Sequence, residues 1–136
     1  VSESLRVKIY YEDTDCGGVV YYANYLRYFE RARTEFMESR GIGLKALTEE
    51  GVFFVVTDAS LKYLAPARYG DVLLIRTLVE KTGPASLVFG HKVISEGTGK
   101  DLVEGSVKLG CVGRDMRPIR LRPEILRAIT DNPGWD

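Results

Sequence analysis

Residues 10–37 read YYEDTDCGGVVYYANYLRYFERARTEFM, and the fold turns on how this stretch is read. Three acids in four positions, Glu12, Asp13 and Asp15, close an alternating run; Gly17-Gly18 then breaks the chain, and a helical pattern opens near Asn24. From Asn24 to Arg40, Tyr25, Phe29, Ala32 and Phe36 recur at i, i+4, i+7 and i+11. Leu26, Tyr28 and Met37 flank that stripe, while Arg27, Glu30, Arg31, Thr34 and Glu38 face the other way, so the segment is an amphipathic helix. Asn24 is expected as its N-cap and Gly41 as the glycine that ends it. At 1.5 Å per residue it spans roughly 25 Å, which makes it the core element of a small domain. Arg33 falls inside the apolar arc, where a charge needs a partner, a snorkelling route or a subunit interface. A helix start offers unpaired N–H groups and the positive end of the dipole. A carboxylate beside such donors is half of an acyl-transfer site.

Working outward, residues 5–12 (LRVKIYYE) alternate as a strand, with Leu5, Val7, Ile9 and Tyr11 on one face. Residues 14–18 must be irregular, and glycines there permit positive φ or a close backbone approach to a ligand. A short helix is expected over 44–50. Beyond Gly51 the pattern is β: a long, bent strand over 52–65, then strands over 71–81, 85–95 and 102–112, separated by Gly83-Pro84 and by Gly97 and Gly99. The tail from Arg114 contains Pro118 and Pro123 and a short helix over 124–129. Tight connections imply antiparallel pairing, because parallel pairs need long crossovers. One helix cannot cover both faces of five strands, so the sheet must curl around it and leave an outer face that seeks a second copy. The expectation is an α+β fold in one domain over 1–136, with a core of about 5–120, a C-terminal tail over 121–136, and an oligomeric state.

The totals are consistent with this. A chain of 136 residues can bury a core without staples. Lys+Arg and Asp+Glu balance at 19 each, which leaves no electrostatic footprint for nucleic acid or anionic lipid. No apolar run approaches the ~20 residues of a membrane span. The opening VSESLRVK has neither the apolar core nor the cleavage pattern of a signal peptide. Cys16 and Cys111 belong to no CxxC or Cys/His cluster and read as free thiols of a cytoplasmic protein.

With those residues in place, YYEDTDCGGVVYYANYLRYFERARTEF resembles the active-site segment of hotdog-fold acyl-CoA thioesterases of the 4-hydroxybenzoyl-CoA thioesterase family, most of all their bacterial Tol–Pal-associated branch. YLAPARYGDVLLI and SLVF resemble that branch too, so the likeness covers roughly 5–120. Its most specific part is a D-x-D-x-x-G-x-V-x-Y block followed by N-Y and a helix. The resemblance implies a long central helix wrapped by a curved five-stranded antiparallel sheet. It also implies hydrolysis of a short-chain or aryl acyl-CoA to free acid and coenzyme A, with no metal and no cofactor beyond the coenzyme of the substrate. A homo-oligomer, a dimer of hotdogs and then a tetramer, is implied as well. Position by position, Asp15 matches the family's catalytic carboxylate, and Tyr22 the residue whose backbone N–H polarises the thioester carbonyl. Tyr11 matches a tyrosine lining the site in the Tol–Pal branch, and Gly18 and Val19 are placed against the substrate. Two departures stand out. The Tol–Pal branch carries histidine where Tyr22 stands, and Gly83-Pro84-Ala85 replaces arginines that the hydroxybenzoyl enzymes use for the coenzyme. Phosphate contacts must then come from other cations, Arg68 and Lys81 first, with Lys62 and Arg117 as further candidates.

The chemistry holds without histidine. A thioester departs as a thiolate whose conjugate acid titrates near free cysteine, ~8.5, so one carboxylate and an oxyanion hole suffice. Asp15 either attacks the carbonyl to give an anhydride or acts as base on a water, and both routes are open. Each oxyanion donor is typically worth about 2.7–4 kcal/mol. The plainer readings stand beside these. Asp15 caps a turn; Glu12 and Asp13 are structural; His91 belongs to the core or an interface. Asp58, mid-strand, is the best second carboxylate, with a paired structural acid as the ordinary alternative. A metal or phosphoryl-transfer reading of Asp13-Thr14-Asp15 needs a βαβ sheet that the strand run after 51 does not supply. A non-catalytic acyl-CoA or acyl-carrier binding or assembly module of the same fold is the remaining rival.

Overall fold

The five alternating segments pair into one antiparallel sheet, and the amphipathic helix lays its apolar stripe against it. The computed structural model describes residues 3–130. In chain order the elements are β1 (Glu3–Lys8), α1 (Asn24–Ser39), α2 (Leu44–Glu49), β2 (Phe53–Tyr63), β3 (Val72–Thr82), β4 (Ser86–Ser95), β5 (Asp101–Val112) and α3 (Pro123–Thr130). The sheet order is β1-β3-β4-β5-β2, with every neighbouring pair antiparallel. This is the expected α+β hotdog arrangement. β2 lies at the edge beside β5, and its register shifts between Val56 and Asp58, the local bulge that bends a long strand. The part of the tail beyond 130 lies outside the described residues, while Ile125 and Ile129 of α3 join the core.

The first strand stops sooner than its alternation suggests. It ends at Lys8, and Tyr11–Asp13 form a single 3₁₀ turn. The cause is local: Asp13 Oδ2 accepts the Tyr10 N–H at 2.8 Å, and Thr14 Oγ1 donates to the Tyr11 carbonyl at 2.7 Å. Short polar side chains thus offer the backbone an alternative to the ladder.

Helix α1 buries Tyr25, Tyr28, Phe29, Ala32, Arg33, Phe36 and Met37, and Gly41 follows its end with positive φ as expected. Leu26, placed on the apolar flank by its spacing, is 41% exposed. Phe36 meets Phe89 edge-on at 5.5 Å, and Phe29 stacks on His91 at 4.4 Å. The sheet admits Phe29 because β5 carries Gly105 beneath it: a Cβ there would lie 2.4 Å from the Phe29 ring. Each buried ring stabilises the fold by roughly 1.5–3 kcal/mol.

The single histidine is a core group. His91 is 1% exposed, with Nδ1 3.0 Å from Thr77 Oγ1 and Nε2 3.5 Å from Arg33 Nη1. A guanidinium can only donate, so Nε2 accepts and the ring proton is assigned to Nδ1. Burial, and then the charge of Arg33, push the imidazole down to about 3. Of the options its place on the helical wheel left open, the chain itself supplies Arg33 with a neutral imidazole acceptor. Burial lowers the pKa of Arg33 itself, with Glu30 opposing.

Two outcomes follow from this packing. Gly105→Ala overpacks the helix–sheet contact and is expected to cost about 1–3 kcal/mol. Urea unfolding reads this directly, and an unchanged midpoint would mean that Phe29 is free to move aside. For His91 the folded value lies below the ordinary ~6.5, so the unfolded chain takes up the proton first as pH falls. The contribution of His91 is intact above about pH 6.5 and declines by roughly 1.4 kcal/mol per pH unit toward pH 3. His91→Gln should flatten the stability profile between about pH 6 and 4. Equal slopes for variant and wild type would refute the buried-neutral assignment.

Candidate active site

The acid loop is a closed hairpin with Asp15 at its first corner. The Asp15 N–H donates to the Val19 carbonyl at 2.9 Å, the Gly18 N–H returns to the Asp15 carbonyl at 3.0 Å, and Thr14 bridges Val20. Gly18 sits at φ 77°, a conformation that side chains avoid, which is why the chain has glycine at this corner. Asp15 Oδ1 accepts the Gly17 N–H at 2.8 Å, so the carboxylate does cap its own turn. Among the described residues, its second oxygen makes no hydrogen bond, and the residue is exposed.

The start of α1 is tied to this loop through Asp13. The Asp13 carbonyl oxygen accepts the Tyr21 N–H and Asn24 Nδ2, each at 2.9 Å. The expected N-cap is thereby corrected: Ala23, in αR geometry, occupies that position, and Asn24 is the first helical residue with its side chain turned back to the loop. The Asn24 N–H donates to the Tyr21 carbonyl at 2.9 Å. A trans peptide sets its N–H opposite its C=O, so the Tyr22 N–H points away from Asn24. Among the described residues, that N–H has no backbone acceptor.

Asp15 and Tyr22 line one cleft of about 350 Å³ together with Val19, Val20, Tyr25, Tyr63, Leu64, Ala65 and Pro66. Its walls are largely apolar. Tyr25 is buried, which pushes its phenol up to about 12, and its ring lies 5.8 Å from that of Tyr63. The wall from Tyr63 to Pro66 comes from the end of β2 and the segment after it. Spacing gave no sign of it, because the contact is long-range; the only hint was the stretch YLAPARYGD.

The remaining site candidates fall elsewhere. Gly18 shapes the loop, and Val19 is half-buried and bridges Arg68 through the main chain. The Arg68 N–H is held by Asp71 Oδ2 at 2.8 Å, and its side chain is exposed beside the acid loop. Tyr11 is 79% exposed and stands edge-on to Tyr69 at 6.1 Å rather than in the cleft wall. Asp58 pairs with Lys108 across β2–β5 and is exposed, because its strand is an edge. Lys81 is exposed near the β3–β4 turn, beside the register shift after Val79, and is not in the cleft wall. No group of three metal-ligating side chains occurs among the described residues, and no described helix is long and apolar enough to cross a membrane.

Comparison with known proteins gives a consistent picture. The family model described as thioesterase superfamily matches residues 17–101. The acyl-CoA thioester hydrolase YbgC of Escherichia coli O6:H1 is 41% identical over 121 residues, 88% of this chain and 86% of that protein. The acyl-CoA thioesterase YbgC of Haemophilus influenzae is 36% identical over 127 residues, 92% of each chain. Among solved structures, the 1,4-dihydroxy-2-naphthoyl-CoA thioesterase of Synechocystis superposes with a TM-score of 0.88 over 94% of this chain and 95% of that one. At 21% identity, that likeness speaks for the fold alone.

Proposed function

The chain belongs to the thioesterase superfamily, and from that premise we propose that the cleft between the acid loop and α1 is where an acyl-CoA thioester is split into free acid and coenzyme A. The chain is an acyl-CoA thioester hydrolase. The observation that carries the choice of cleft is the meeting of Asp15 and Tyr22 on one apolar wall. The thioester oxygen sits against the Tyr22 N–H at the positive start of α1, and the carbonyl carbon faces the unengaged oxygen of Asp15. Asp15 then either bonds to that carbon, expelling the thiolate and leaving an anhydride for water to open, or takes a proton from the water that attacks it. In both routes the charge developing on oxygen is met by a fixed amide dipole.

A cleft of about 350 Å³ walled by Val19, Val20, Tyr25 and Leu64 suits a short-chain or aryl acyl group. The coenzyme stays outside it, with Arg68, next to Val19, as the first phosphate contact, and Lys81 and Lys62 as further cations. No metal and no separate cofactor takes part. The working form is a homo-oligomer, a dimer and then a tetramer. The unpaired edge of β2, Val56 at 55% exposure and the groove that Leu26, Val56 and Arg33 share all support this. The free thiols of exposed Cys16 and buried Cys111 accord with a cytoplasmic location.

A panel of acyl-CoA thioesters from acetyl to benzoyl, with released thiol as the readout, tests this. Asp15→Asn keeps an acceptor for the Gly17 N–H and removes the charge, so kcat should drop about 10²–10⁴-fold with the fold intact. Excess chelator should leave the wild-type rate unchanged. An Asn variant as fast as wild type would remove Asp15 from the mechanism. A wild type that releases no thiol from any substrate would turn the reading to a binding module.

A further inference from the structure

Tyr63 is the last residue of β2, and its hydroxyl donates to the Tyr22 carbonyl oxygen at 3.0 Å, across 41 positions of sequence. We propose that Tyr63 is a positioning residue for the hydrolysis, fixing the Tyr22 backbone so that its N–H faces the thioester carbonyl. This rests on the reading of the cleft given above.

A residue's backbone has two soft dihedrals, and the peptide planes on either side of its Cα fix both. At Tyr22 the preceding plane is held by the Asn24 N–H on the Tyr21 carbonyl, at 2.9 Å. The following plane, Tyr22–Ala23, lies outside the helical ladder, whose first bond here runs from the Leu26 N–H to the Ala23 carbonyl. Among the described residues its carbonyl has one hydrogen-bond partner, the Tyr63 hydroxyl. Without that bond the Tyr22–Ala23 plane is untethered; the Tyr22 N–H lies in the other plane, and its hold loosens through the turn that the Asn24 N–H closes over residues 22 and 23.

Packing does not require the hydroxyl. The Tyr63 ring is 48% exposed, so its OH has water available and is not forced onto a backbone oxygen by burial. The ring makes its own contacts, edge-on to Tyr22 at 6.4 Å and tilted against Tyr25 at 5.8 Å. Burial, then the neighbouring Tyr22 phenol, raise the Tyr63 pKa, so the group remains a donor at neutral pH. Because the bond joins the edge strand to the helix start, it also couples the two walls of the cleft.

Tyr63→Phe keeps the ring and deletes the bond. The expected result is a kcat about 3- to 10-fold lower with KM within about twofold of wild type, since the loss falls on the transition state. A second readout bypasses turnover: bind a ketone analogue, with methylene in place of the thioester sulfur, and follow its carbonyl stretch. In wild type the band should be shifted from its position in water by the Tyr22 donor, and in Tyr63→Phe the shift should shrink. Unchanged kcat and an unchanged band in the variant would overturn the positioning role while leaving the cleft reading intact. A raised KM with unchanged kcat would also overturn it, making Tyr63 a plain substrate contact. An unshifted band in wild type would mean that Tyr22 is no oxyanion donor, and both readings would fall together.

Discussion

Two donors on one carbonyl oxygen hold the candidate site of this protein together. The Tyr21 N–H and Asn24 Nδ2 both reach the Asp13 oxygen at 2.9 Å, so the acid loop and the first turn of α1 form one rigid piece. The Asp13 carboxylate meanwhile takes the Tyr10 N–H, which fixes the loop to the end of β1 as well. A single residue thus orients three segments through its backbone and side chain. The position of the Asp15 carboxylate and the aim of the Tyr22 amide both depend on this junction.

The junction is placed by packing that has no chemistry of its own. Helix α1 is located by Phe29 settling over Gly105 and by Phe36 against Phe89. The return segment between β2 and β3 then presses on the far side of the loop, where the Ala67 carbonyl accepts the Val20 N–H at 2.8 Å and Ala67 is fully buried. Asp71 closes the same arrangement from β3's side: its carbonyl takes the Ile9 N–H at 2.8 Å and its carboxylate the Arg68 N–H. A loop held from both sides loses little entropy when a ligand enters, which is the physical content of preorganisation.

Periodicity made the elements legible, and pairing partners were hidden from it. The stripe from Tyr25 to Phe36 and the four alternating runs after Gly51 correspond to α1 and β2–β5 within a residue or two. What periodicity missed was decided by hydrogen bonds it does not see: Asp13 and Thr14 closing a turn where alternation ran on to Tyr11, and Asn24 bonding the loop instead of capping the helix. Strand order was equally out of reach, since β2 pairs with β5 rather than with its successor. That order leaves Asp58 on an exposed edge and brings Tyr63 to the helix start. Within the site, Asp15 and Tyr22 were singled out by family resemblance. From residues alone, a turn cap served as well for Asp15, and one of its oxygens does serve that way.

The division of labour within that carboxylate bears on the chemistry. With Oδ1 anchored to the Gly17 N–H, the group cannot rotate freely, and its second oxygen projects from a fixed corner. The chain has one histidine, and it is stacked on Phe29 in the core, where burial and then the Arg33 guanidinium keep it neutral, so no imidazole of this chain can reach the cleft. The cleft therefore offers the leaving group no acid stronger than the phenols in its wall, of which those of Tyr25 and Tyr63 are raised by burial. For an amide or an ester that lack would be severe, because their leaving groups are strong bases. For a thioester it matters little, because the sulfur departs as a stable anion. On the proposed reading, one tethered carboxylate and the Tyr22 amide are thus matched to thioesters by what the cleft lacks as much as by what it holds.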